Sequence, residues 1–134
     1  MKTEKRESVI KECEKLSFEV KGSFPEAVKK LGEVGVESYY VDLVRLEKTC
    51  YCEDGETYRD SLPLKDAKGV NSAFLEESVR SAIKGSQRME IDYASFLHKI
   101  MEAGAMGYMV FIKGRQAQYF GRKGERWVEC FPSG

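Results

Sequence analysis

Few residues of this 134-residue chain combine a reactive type with a useful spacing. The cysteines come first: Cys13, Cys50, Cys52 and Cys130. Cys50 and Cys52 fall at i and i+2, on the same side of a strand, which raises a disulfide or metal reading. Zinc centres need two closely spaced ligand pairs, and here there is no second pair and a single histidine, His98. Buried free thiols are therefore expected, with no metal and no cofactor. His98 is a lone histidine without an obvious catalytic partner, so it reads as a surface or boundary residue of a helix. Glu53, Asp54 and Glu56 form an acidic hairpin tip able to hold a cation weakly.

The segment from Lys113 to Trp127 is basic and aromatic. Lys113, Arg115, Arg122, Lys123 and Arg126 neighbour Tyr119, Phe120 and Trp127, and aromatic side chains on a sheet can stack nucleic-acid bases. Against that, the chain carries 22 basic and 22 acidic residues, and non-specific binding to nucleic acid needs uncompensated cations. Residues 1–67 hold 12 Lys/Arg against 15 Asp/Glu, and residues 68–134 hold 10 against 7, so the halves have opposite signs. No phosphate-cradling glycine loop, nucleophile elbow or paired-carboxylate motif is present. No catalytic residues are expected.

The elements that would position these residues follow from an internal repeat. Residues Phe24 to Tyr58 align without a gap on Tyr93 to Trp127 at an offset of 69. Seven positions match outright: Lys30/Lys99, Glu33/Glu102, Gly35/Gly104, Tyr39/Tyr108, Val41/Val110, Gly55/Gly124 and Glu56/Glu125. Composition alone would give about two, so a duplication is the better account. Each unit reads as two helices followed by three strands. Val9, Ile10, Cys13 and Leu16 recur at helical spacing over Thr3 to Leu16. Ser23 has the form of a cap for the helix that Gly35 ends. Tyr39, Val41 and Leu43 then alternate, a turn spans Arg45 to Lys48, and a strand covers Thr49 to Glu53. Asp54-Gly55 signals a two-residue type I′ turn, which sets Tyr51 opposite Tyr58.

In the second unit Ser72 is positioned to cap a helix reaching Lys84, and Asp92 to cap the next, which Gly104 ends. Tyr108, Val110 and Ile112 alternate. The last hairpin sets Phe120 opposite Trp127 and Arg122 opposite Glu125. The expectation is a single α+β domain over residues 1–134, with repeats at about 3–60 and 72–130. It has two layers, an antiparallel sheet with helices on one face. No apolar run approaches the ~20 residues of a membrane span, and the charged start at Met1 to Arg6 leads into no signal-peptide core, so the cytoplasm is expected.

The segments Phe24 to Val41 and Asp92 to Gly104, together with the later Tyr119-Phe120 hairpin, resemble the hallmarks of a family of small bacterial and phage proteins. That family has no assigned function and is often labelled "phage envelope protein". The resemblance covers nearly the whole chain and departs between Arg59 and Val70. It implies this fold and no particular activity.

Tyr39/Tyr108 and Val41/Val110 are expected to face the helices. Tyr40, Asp42, Met109 and Phe111 then lie on the open side of the sheet, as candidates for a ligand surface or subunit interface. The leading expectation is a non-enzymatic interaction module, a homodimer through that open face. A small-molecule binder or enzyme with a pocket between helices and sheet is the first alternative. A weak single-stranded nucleic-acid binder acting through the basic half is the second.

Overall fold

The computed structural model describes residues 2–19 and 24–131. Ser23, expected as a cap, and the tail 132–134 lie outside them. The elements run α1 (Lys2–Glu19), α2 (Phe24–Glu33), β1 (Val36–Asp42), β2 (Glu47–Cys52), β3 (Thr57–Ser61), α3 (Glu76–Gln87), α4 (Tyr93–Glu102), β4 (Ala105–Phe111), β5 (Gln116–Gly121) and β6 (Arg126–Cys130). The helix, helix, three-strand order thus occurs twice. All strands join one antiparallel sheet in the order β3-β2-β1-β4-β5-β6.

β1 and β4 meet at the centre, with Tyr40 opposite Met109, Tyr39 opposite Val110 and Val41 opposite Tyr108. Tyr40 and Met109 are themselves related by the offset of 69, so the pseudo-two-fold axis passes between them. The backbone repeats in detail. A bulge interrupts β1 between Val36 and Ser38, and its counterpart interrupts β4 between Ala105 and Gly107. Left-handed residues recur as Gly35/Gly104, Leu46/Arg115 and Gly55/Gly124. The amide of Leu43 donates to Met106 and that of Ile112 donates to Glu37, two bonds exchanged by the same axis.

The expected parity holds. Tyr39, Val41, Tyr108 and Val110 are buried with Leu31, Leu97 and Ile100 of the helices. Asp92 caps α4, its Oδ1 accepting from Ser95 N at 2.8 Å.

Both outer hairpins differ from expectation by one residue. Tyr51 pairs with Thr57 and Cys50 with Tyr58; Tyr119 pairs with Trp127 and Phe120 with Arg126. A type I′ turn needs positive φ at two successive residues, and here only Gly55 and Gly124 have it. The loops are the three-residue kind that closes on a left-handed glycine, with Cys52 N bonded to Glu56 O and Gly121 N to Glu125 O. The β1–β2 turn also falls earlier than expected, at residues 43–46, so Lys48 belongs to β2.

Ser72 does not cap α3, which starts at Glu76. Residues 71–75 are spent on the end of α4 instead. Asn71 N bonds Met101 O, Asn71 Nδ2 bonds Glu102 O, and Leu75 N bonds Ala103 O, which satisfies carbonyls that a helix end leaves open.

The first hairpin is tied to α1 by a buried arginine. Arg6 is 3% exposed; its Nε donates to Val34 O at 2.7 Å and its Nη1 to Asp54 Oδ2 at 2.9 Å. Asp54 is held below the usual carboxylate range by the Glu56 amide and then by the Arg6 guanidinium. A lowered native value means that ionised Asp54 stabilises the fold above ~pH 4 and that this share disappears as pH falls through the native value. Asp54→Asn should therefore make the urea midpoint less dependent on pH between ~pH 5 and ~pH 2. An unchanged acid slope would show that the tie contributes nothing.

Candidate functional site

The helices do not fill the space above the sheet. A cavity of about 390 Å³ lies between all four helices and strands β1, β2, β4, β5 and β6. Its volume falls within the range of small-ligand sites, roughly 300–1,000 Å³. The wall is aromatic. Phe96 of α4 meets Tyr108 and Tyr119 edge-on at centroid distances of 6.1 and 6.4 Å, and Tyr93 stacks on it at 6.2 Å. Tyr108 and Tyr119 stack on each other at 5.1 Å. Phe24 of α2 meets Phe131, just past β6, edge-on at 5.5 Å. Such contacts hold the rings in fixed orientations and keep the wall from collapsing inward.

The hydroxyls of Tyr93 and Tyr108 share a hydrogen bond of 2.6 Å. Burial pushes Tyr39, Tyr93, Tyr108 and Tyr119 well above the ordinary tyrosine range, so all four are neutral at physiological pH. They act as walls and hydroxyl partners, not as phenolates. Burial also raises the Cys13 thiol, and that of Cys50 to about 11. Neither is primed as a nucleophile.

Of the charged residues on the wall, Glu26, Lys30, Lys48, Asp92 and Glu129, only Lys48 is buried. Lys48 is only 9% exposed, and its Nζ lies 4.4 Å from the centroid of the Tyr39 ring. Asp60 stands directly across from it on β3, and Glu14 of α1 is close enough that Lys48 lowers its carboxyl, against a larger upward push from burial. Among the described residues neither acid forms an ion pair with it. Glu14 Oε1 is itself buried without a hydrogen-bond partner.

The offset of 69 shows how unusual these charges are. The counterpart of Lys48 is Ala117, and extending the offset to the first helix gives Ile83 as the counterpart of Glu14. Both counterparts are buried and line the cavity. Ala27 and Phe96 are likewise equivalent, so one half fills with a ring what the other leaves open. The turn expected over Arg45 to Lys48 hides Lys48 from sequence reading. Two signals could have found it: its alternation with Cys50 and Cys52, at i+2 and i+4 on one face of a strand, and a lysine aligned on an alanine.

The residues singled out from the sequence lie elsewhere. Tyr40, Asp42, Met109 and Phe111 are on the sheet face away from the helices and are half-buried. Asp42 is occupied, since its Oδ1 accepts from Val44 N and Arg45 N to hold the β1–β2 turn. The Tyr40 hydroxyl packs against Gly107, where an added Cβ would collide with it. His98 is in α4, outside the cavity, beside Asp66, Lys68 and Glu102. The acidic tip is engaged, with Asp54 on Arg6 and Glu53 on Lys113 at 2.8 Å. Of the basic segment's aromatics, Tyr119 is in the core, Trp127 carries Arg80 over its ring at 4.7 Å, and Phe120 is half-buried. Cys13, Cys50 and Cys52 are buried free thiols, and Cys130 is exposed. Among the described residues no group of three or more His, Cys, Asp or Glu could hold a metal ion, and no helix is long and apolar enough to cross a membrane.

No curated protein matches the chain. A match to a family of proteins does extend over residues 6–128, from Arg6 of α1 to Val128 of β6, and so takes in the repeat, the sheet and nearly all of the cavity wall. The chain belongs to the family described as "protein of unknown function (DUF1398)".

Proposed function

We propose that this protein binds a small, largely apolar molecule in the cavity between its helices and its sheet. The observation that carries this reading is the ~390 Å³ of unfilled space behind a braced aromatic wall. Ordinary interiors are close-packed, and wall atoms that face this unfilled, partly open space forgo the contacts that packing would give them. The fold has an available solution that it does not use: a ring at Ala27, where the other half has Phe96. Space retained at that cost is space for a ligand. The neutral tyrosine hydroxyls and Lys48 supply the few polar groups that orient a molecule in such a site. This is the pocket alternative of the sequence reading, and the open sheet face has no part in it.

The test is a melting-temperature screen of the protein against a library of small apolar and amphipathic molecules, repeated on Ala27→Phe. Ligands at a hundredfold excess over Kd should raise the parent's stability by about 2.7 kcal/mol. In Ala27→Phe, which places in α2 the residue its counterpart already has, those shifts should vanish while the protein stays folded. A library without effect on the parent, or shifts of equal size in both proteins, would sink the proposal.

A further inference from the structure

Resting on that reading, we infer that the ligand is an apolar monocarboxylate whose carboxylate group pairs with Lys48. The second half of the molecule shows that this fold does not need a charge at the position, because Ala117 occupies the equivalent site in β5. A lysine left only 9% exposed loses most of its hydration, and that loss is recovered only through an opposite charge or hydrogen bonds. The Tyr39 ring, 4.4 Å from Nζ, offers a cation–π contact and accepts none of the ammonium's three protons in an ion pair. Asp60 and Glu14 are neighbours without being partners. Glu14 does not line the cavity, and its Oε1 is sealed off, so it cannot itself receive a ligand.

Lys48 is thus the buried cation of the cavity wall with its donors uncommitted, whereas Lys30 of α2, the other lysine on the wall, is half-exposed and keeps its contact with water. A carboxylate beside it would form a charge-assisted bond to an ammonium that is itself largely shielded from water. The remainder of the cavity determines the remainder of the ligand. Ile83, Ile91, Phe96, Phe24 and Phe131 present hydrocarbon and ring faces, suited to an aryl group or a short alkyl chain. Other acids near the cavity, Glu26, Asp92 and Glu129, make a second carboxylate on the ligand unwelcome, so a monoacid fits better than a diacid.

The experiment pairs each acid with its own uncharged analogue. 3-Phenylpropionate, indole-3-acetate and octanoate are titrated calorimetrically beside their primary amides, on the parent, on Lys48→Met and on Ala27→Phe. The parent should bind at least one acid about tenfold or more tighter than the matching amide, since a bond to a charged partner exceeds a neutral one by about that factor. Lys48→Met should lose this preference and leave amide binding within about twofold, and Lys48→Arg should keep a preference for the acid. The acid-to-amide comparison on the parent needs no variant, so it stands even if a substitution disturbs folding. Equal binding of acid and amide to the parent, or an acid preference that survives in Lys48→Met, overturns the carboxylate assignment. In either case binding that disappears in Ala27→Phe leaves the cavity reading intact. Binding that persists in Ala27→Phe, or its absence for every acid, amide and library compound, removes both.

Discussion

Gly104→Ala should destabilise the protein by about 3 kcal/mol or more and lower its melting temperature by about 10 °C. Gly104 sits at φ +94, past the end of α4, where its amide closes the helix on Met101 O. An L side chain in that region is strained by about 1–3 kcal/mol before any contact is considered. Here there is also nowhere for it to go. A Cβ would strike the carbonyl oxygen of Ala73 and come within 2.8 Å of the Phe74 Cα. These are backbone atoms of the segment whose hydrogen bonds finish α4, so relief means breaking the Asn71 and Leu75 bonds as well. The repeat supplies an internal control. Gly35 has almost the same φ, +92, but an added Cβ there would meet the Arg6 guanidinium at 2.9 Å, the end of a long side chain. Gly35→Ala should show the backbone strain and less of the collision. Thermal melts of the two variants check this, and equal losses would mean that the Ala73 contact is not what fixes Gly104.

That asymmetry bears on what the sequence can and cannot reveal. The duplicated plan was legible because both halves must solve the same packing problem. Tyr39 and Tyr108 keep one face of the sheet under the helices, and Gly35 and Gly104 stop the helices at the same point. Registers one residue off were not legible. Asp54-Gly55 has the letters of a type I′ turn, yet positive φ at Gly55 alone makes a longer loop, and that choice is made by how β2 and β3 pair along their length. The late start of α3 was also hidden, since Asn71 to Leu75 answer to the carbonyls of α4, which are distant in sequence.

The cavity was the least legible feature, for a general reason. A hole is a shortage of volume among residues brought together by tertiary structure, and no local pattern encodes it. What the sequence does contain is the trace of the hole in the aligned halves: Ala27 against Phe96, Lys48 against Ala117, Glu14 against Ile83. Identical aligned pairs report the shared scaffold, and these mismatched ones report where the halves no longer share a task. Attention to the open face came from the same logic applied to Tyr40/Met109 and Asp42/Phe111. There the divergence has local explanations, a capped turn at Asp42 and a ring over Gly107.

Phe96→Ala should cost about 4 kcal/mol, in the middle of the range for buried aromatic truncations. The ring is 5% exposed and is the hub of the wall, in contact with Tyr93, Tyr108 and Tyr119. Truncations are cheapest where neighbours can relax into the space, and two features oppose relaxation here. Tyr93 and Tyr108 are bound to each other through their hydroxyls, and the new void would join one that already exists, so the tyrosines would have to cross open space to reach new contacts. The cost should therefore include most of the cavity penalty in addition to the lost transfer free energy. Urea unfolding measures it: the midpoint should fall with an unchanged slope, the signature of lost stability without a change in the surface exposed. The same variant should bind any cavity ligand more weakly, because the ring that braces the wall is gone, whereas bulky acids too large for the parent should gain. A loss below about 1 kcal/mol would mean that the wall closes freely over the missing ring, and a wall that soft would not hold a cavity open in the parent either.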